Sequence, residues 1–197
     1  MGLVDRVKGI LLNPRQEWAV IDAEAATPAG LYTGYILPLA AIGPVSTAIG
    51  YSVFGISLPF VGTWRTPIGS AITSAVVTYA LTLVGVFVMG LIIDNLAPTF
   101  GGTRSSIQAL KVAAYSYTAA WVAGIFALIP GLRMLGILGA YSLYLLYLGL
   151  PVLMKSPAEK ALGYTAVVII VAIVLGFVVA AVAGRFIGGP AMGALTP

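Results

Sequence analysis

The chain has 197 residues, 60% of them hydrophobic and only 8% charged, and ten Lys and Arg against six Asp and Glu give a net charge of +4. Soluble domains carry roughly 25% charged residues, so a mean hydropathy of +1.05 excludes an ordinary water-soluble domain. The absence of cysteine and histidine removes disulfides, thiolate chemistry and the commonest general base and metal ligand, so no cofactor is implied; scattered cations beside a bilayer point to anionic headgroups, not nucleic acid.

Residues 1–30 mix Asp5, Glu17, Asp22 and Glu24 with Arg6, Lys8 and Arg15 and lack the continuous apolar core of a signal peptide. Leu3, Val4, Val7, Ile10 and Leu11 recur at helical spacing and predict one amphipathic helix. Asn13 then stands as a cap, with Pro14 in the first turn and Gln16 at the reach-back position, and the helix it opens carries Trp18, Val20 and Ile21. Two helices lying on the bilayer surface are expected, with Val7 and Trp18 as candidate membrane-surface contacts. The alternative is that the same residues dock a protein partner.

Five apolar stretches follow, at 31–55, 68–93, 109–129, 132–154 and 163–187. Each approaches or exceeds the ~20 residues that cross a ~30 Å hydrocarbon layer as a helix. The expected fold is therefore an all-α integral membrane protein, five transmembrane helices preceded by one or two amphipathic interfacial helices. Its segments are an N-terminal cytoplasmic part (1–30), the membrane domain (31–187) and a short extracytoplasmic tail (188–197). Thr27-Pro28, Thr66-Pro67 and Ser156-Pro157 each set a capping hydroxyl before a first-turn proline, and Ser105 with Gln108 and Ser156 with Glu159 have capping-box spacing. Pro38 and Pro44 should bend the first span, and Pro130-Gly131 should turn the third and fourth into a tight antiparallel hairpin. Alternate connections carry seven cations (Arg6, Lys8, Arg15, Arg104, Lys111, Lys155, Lys160) against three (Arg65, Arg133, Arg185). That bias sets the N-terminus in the cytoplasm and the C-terminus outside the cell membrane.

Ala172, Gly176, Ala180 and Gly184, each four apart, form a small-residue ridge on the fifth span. Ala120 with Gly124 and Gly136 with Ala140 offer similar surfaces. Such ridges let helix backbones approach closely, within one chain or, alternatively, between copies in a homo-oligomer. Polar residues at membrane depth are costly unless paired or hydrated. Asp94 and Asn95 end the second span, Lys111 and Tyr115 open the third, and Tyr141, Tyr144 and Tyr147 share one stripe of the fourth. Asp94, Asn95, Lys111, Tyr115, Tyr141 and Tyr144 are thus the candidate polar pocket, with Asp94 and Lys111 as its ion pair; an aromatic belt with ordinary interfacial charges is the alternative. Catalytic signals are weak. Asp94 has no second intramembrane carboxylate, no Ser–His arrangement exists, no serine sits in a nucleophile setting beside Lys111, and Gly101-Gly102 is too short for a phosphate loop. An enzyme is not expected.

Several segments carry a resemblance: Asn13-Pro14-Arg15-Gln16-Glu17-Trp18, Tyr35-Ile36-Leu37-Pro38-Leu39, Ala113-Ala114-Tyr115-Ser116-Tyr117-Thr118, and Tyr141-Ser142-Leu143-Tyr144-Leu145-Leu146-Tyr147. With Leu150-Pro151-Val152-Leu153-Met154-Lys155 and Glu159-Lys160-Ala161, they resemble prokaryotic members of the Ypt-interacting (Yip) family over nearly the whole chain. The resemblance implies five spans, a cytoplasmic N-terminus and a short external C-terminus. Where many relatives have proline near Ala119, this chain reads Thr118-Ala119-Ala120, so no kink is carried over to the third span. Eukaryotic relatives bind Rab-type GTPases in vesicle traffic, a role that fold analogy alone does not transfer to a prokaryote-like member. The functional expectation is a non-enzymatic scaffold that organises the membrane or a partner. The alternative is a small transporter, channel or lipid-translocating protein using the polar pocket.

Overall fold

The computed structural model describes residues 2–58 and 62–185, so the expected C-terminal tail and the last residues of the fifth stretch lie outside it. At the N-terminus α1 (Leu3–Leu12) and α2 (Pro14–Ala23) fold back on each other about Asn13, which caps α2 by position but donates no side-chain bond to it. Next comes α3 (Pro28–Phe54), opened by the expected cap: Gly30 N–H donates to Thr27 Oγ1 at 3.1 Å. It contains π-helical turns at Tyr32–Ile36 and Gly50–Phe54. Pro38 follows the first of these, where its missing N–H has forced the ladder to widen. A short antiparallel hairpin, β1 (Ile56–Leu58) and β2 (Gly62–Trp64), pairs Ile56 with Trp64 and leads into α4 (Ile68–Phe100).

The third predicted span is broken. Helix α5 (Ser106–Ser116) stops at Tyr117, and α6 (Thr118–Ala123) continues as a 3₁₀ turn over Gly124–Leu128. The cause is Thr118, whose hydroxyl lies 2.7 Å from the Tyr115 carbonyl and 2.6 Å from the Tyr35 hydroxyl. A side chain that bonds backbone this way competes with the helical ladder. After an extended Ile129, α7 (Pro130–Met154) runs antiparallel to α6, its first eleven residues 3₁₀ and the rest α-helical. The expected hairpin is there, fastened by Ala120 N–H donating to Ser142 Oγ at 2.9 Å. Finally α8 (Ala158–Gly184) packs along α4 and α7. Among the described residues, four helices (α3, α4, α7 and α8) are long and apolar enough to cross a membrane, one fewer than the five stretches predicted.

Two other boundary expectations also change. Thr66 and Ser156 do not cap α4 and α8, whose cap positions fall on Pro67 and Pro157; both hydroxyls are instead buried without a partner. Tyrosine hydroxyls tie α3 to α4, Tyr32 donating to the Leu83 carbonyl at 2.8 Å and Tyr79 to the Leu37 carbonyl at 3.0 Å. Tyr164 of α8 donates to the Ile93 carbonyl of α4 and stacks on Phe100 at 4.8 Å.

The α-helical part of α4 has 29 residues, which at 1.5 Å each spans roughly 43 Å, well over the ~30 Å of a hydrocarbon core. Asp94 and Asn95 at its end, and the α1–α2 pair beside them, thus have room to lie beyond the hydrocarbon. The buried core sits at that same end, joining Ile10, Trp18, Ile36, Tyr115, Leu145 and Leu150. At the other end α3 meets the 3₁₀ turn after α6 through glycine: a Cβ on Gly124 would stand 2.8 Å from Gly43 Cα. Gly124→Leu is expected to force these backbones apart at a cost of about 1–3 kcal/mol, seen as a lowered unfolding midpoint in detergent, whereas Gly131→Ala, in open space, should leave it unchanged.

Candidate functional site

Arg6 lies on the inner stripe of α1, three residues after Leu3 and four before Ile10, and is only 5% exposed. A guanidinium taken out of water needs opposite charge and filled donors. Nη1 donates to Glu17 of α2 and Nη2 to both carboxylate oxygens of Glu24, beyond its end. Burial alone would lower the Arg6 pKa; the hydrogen bond and charge of Glu24, with Glu17, outweigh it and the net direction is up. Gly9 makes the approach feasible, since any Cβ there would strike the Glu17 carboxylate.

Three further contacts fasten this cap to the bundle. Trp18 is fully buried, edge-on to Tyr115 at 6.3 Å, in a recess where a Cβ on Gly149 would come within 2.6 Å of its ring. Lys111 of α5 donates to the carbonyls of Ile21 at 2.8 Å and Glu24 at 2.5 Å, where the helix dipole favours a cation. Asp22 accepts from Lys155 at 2.5 Å and Gln108 at 3.0 Å. Beside the cap opens a cleft of about 580 Å³, bordered by Arg6, Glu24, Thr27, Gly34, Tyr35 and Tyr115. Tyr35 and Tyr115 form its aromatic wall, their centroids 4.5 Å apart, and the Arg6 guanidinium lies 5.7 Å from the Tyr115 ring centroid.

The residues expected to form one polar pocket are dispersed. Asp94 accepts from Ser106 at 2.9 Å rather than pairing with Lys111, which is committed to α2. Asn95 bonds Arg104 and the Leu91 carbonyl. Tyr141 and Tyr144 meet with tilted rings, centroids 5.4 Å apart, on the outside of α7, 36% and 41% exposed, with the Tyr141 hydroxyl donating to the Leu11 carbonyl at 3.2 Å. Of the six, Tyr115 alone borders the cleft. The expected surface contacts change too: Val7 is half-buried against the core and Trp18 is wholly inside it. Arg6, Glu17 and Glu24 were not among the candidates. A charged residue at apolar spacing was the available signal for Arg6, but its partners lie eleven and eighteen positions away.

Comparison with known proteins agrees with this helical membrane architecture. The family model for the Yip1 domain matches residues 8–180. The chain belongs to the Yip1 domain family. This Yip1 protein is similar to inner membrane protein YohC of Escherichia coli K12, 28% identical over 166 residues that cover 82% of this chain and 85% of that one. The protein of the same name from Escherichia coli O6:H1 matches with the same identity and coverage. No solved structure matches.

Removing one member of a buried charge set leaves the others unpaired. Arg6→Ala should therefore cost about 3–5 kcal/mol, read as a lowered unfolding midpoint and new protease cleavage around residues 13–27. Trp18→Ala should also destabilise, by about 3–5 kcal/mol, rather than merely weaken adhesion to vesicles; an unchanged midpoint with lost adhesion would contradict its burial.

Proposed function

We propose that this Yip1-family protein is a non-enzymatic organiser of the cell membrane, in which the α1–α2 cap is a fixed platform at the cytoplasmic face. The observation that supports this reading best is the use of the ionisable groups at that end. Arg6, Glu17 and Glu24 hold α1 to α2, and Lys111, Asp22 and Lys155 hold α2 to the bundle, so they are not free to form an ion path. The cap also presents exposed apolar residues, Val4, Leu12 and Val20, among Asp5, Lys8 and Arg15. A rigid amphipathic surface of this kind suits the lipid interface or a protein partner. The seven-to-three distribution of cations supports the cytoplasmic location, and the inner-membrane name of the E. coli relative supports a cell-membrane setting. In this reading α5 and α6 together make a fifth, interrupted crossing, its irregular backbone tolerated because it is buried in protein.

A second reading, a small transporter or lipid-translocating protein, draws on a groove among α3, α4 and α8 at the opposite end. Flux distinguishes the two. Liposomes holding the purified protein should pass ions, solutes and fluorescent lipids no faster than protein-free liposomes, and Asp94→Asn should change nothing. Photo-crosslinkers at Val4 and Leu12 should form adducts in cell membranes that disappear when Arg6→Ala releases the cap. Protein-dependent flux would overturn the organiser reading.

A further inference from the structure

At the end opposite the cap, two cavities of about 400 and 280 Å³ share Thr82, Trp121, Gly176 and Val179 as lining and so form one groove. It follows α8 from Gly184 to Ala172, roughly 18 Å at 1.5 Å per residue. Ser74, Thr78 and Thr82, four apart, line it on α4, facing Gly176, Ala180 and Gly184, four apart, on α8. Thr82 turns its hydroxyl back to the Thr78 carbonyl at 2.8 Å, so that stretch offers carbon rather than a free donor. The glycine ridge is not consumed in packing: among the described residues nothing stands within 4 Å of where a Cβ on Gly176 or Gly184 would lie.

The mouth of this groove holds polar atoms that lack partners. Thr66 is 3% exposed, lines the groove and has no hydrogen-bond partner for its hydroxyl. Its N–H donates to the carbonyl of Tyr51, and the Arg133 guanidinium lies 4.3 Å from the Tyr51 ring centroid. Nε and Nη2 of Arg133 are buried and unpaired. Arg65 and Arg185 stand exposed next to Thr66 and Gly184. No carboxylate side chain can answer these three arginines. All six (Asp5, Glu17, Asp22, Glu24, Asp94 and Glu159) belong to the cap end, on α1, on α2 and just beyond it, at the end of α4 and at the start of α8. No side-chain carboxylate at this end balances the unpaired Arg133 guanidinium, and a bound anion would do so.

We infer that this end binds an anionic phospholipid, its phosphate on Arg133 with Arg65 and Arg185 around it, and one acyl chain lying in the groove between α4 and α8. A phosphate offers a guanidinium paired acceptors, and an apolar groove at membrane depth matches a hydrocarbon chain. A free inorganic anion would satisfy the arginine and leave the groove empty. The inference does not depend on the organiser reading, because it uses no residue of the cap.

The test is electron paramagnetic resonance on the full chain in phosphatidylcholine vesicles, with chain-labelled nitroxide phosphatidylglycerol or phosphatidylcholine as the probe. Wild type should immobilise phosphatidylglycerol preferentially, by roughly tenfold, the worth of one charge-assisted hydrogen bond. Arg133→Gln should bring the two lipids to parity, and Arg133→Lys should keep part of the preference. Gly176→Leu, which fills the groove without touching the arginine, should reduce the immobilised fraction of both lipids. Unfolding midpoints close to wild type identify the variants that remain folded. Equal immobilisation of the two lipids by wild type, a preference that survives Arg133→Gln, or an immobilised fraction indifferent to Gly176→Leu would each overturn the inference.

Discussion

Burying one guanidinium organises the N-terminal cap of this protein. Arg6 cannot stay under α1 without two carboxylates. Glu17 and Glu24 can supply them only if α2 folds back against α1 in one register and the chain after it turns toward the cleft. That register fixes Trp18 in its recess on α7 and leaves the end of α2 open to Lys111. A hydrophobic pair at the same place would hold about as well, because the desolvation of a buried ion set offsets much of its attraction. What it adds is directional: apolar side chains slide past one another, whereas a fork with filled donors has one geometry.

The broad architecture was legible because lipid imposes a simple rule on sequence. Long apolar runs between charged turns read as helices, and α3, α4, α7 and α8 are those runs. The run that is not one continuous helix is instructive. Residues 109–129 are also largely apolar, yet Thr118 breaks the helix by bonding Tyr115 and Tyr35. Its partner Tyr35 is 83 positions away, and no local pattern announces it. The same reach explains the cap. Periodicity showed that α1 and α2 each have an apolar face, but a face that packs on lipid and one that packs on protein have the same composition. Only the pairing of Arg6 with two distant glutamates separates them.

The polar residues followed a different logic. Asp94, Lys111 and the tyrosines of α7 stood out because a charge or hydroxyl inside hydrocarbon demands a use. Helices longer than the hydrocarbon ease the demand, since Asp94 then has room outside the apolar layer, where Ser106 bonds Oδ2 and Oδ1 is left without a side-chain partner. The small-residue ridge of α8 was visible too, but its meaning depended on what faced it. It meets the hydroxyl-bearing stripe of α4 across a space rather than another ridge in contact.

The length of α4 and α8 has a bearing beyond the placement of Asp94. Helices of 29 and 27 residues exceed a ~30 Å hydrocarbon layer by about two turns, and a bilayer answers such mismatch by thickening, or the helices by tilting, at fractions of a kcal/mol per Å. Because Tyr164 and Phe100 lock these two helices together at one end, they must tilt as a unit. Where that excess stays apolar and against lipid it favours thicker membrane or tilt, and where it projects past the layer, as at Asp94, it sets how far the cytoplasmic end stands off the bilayer.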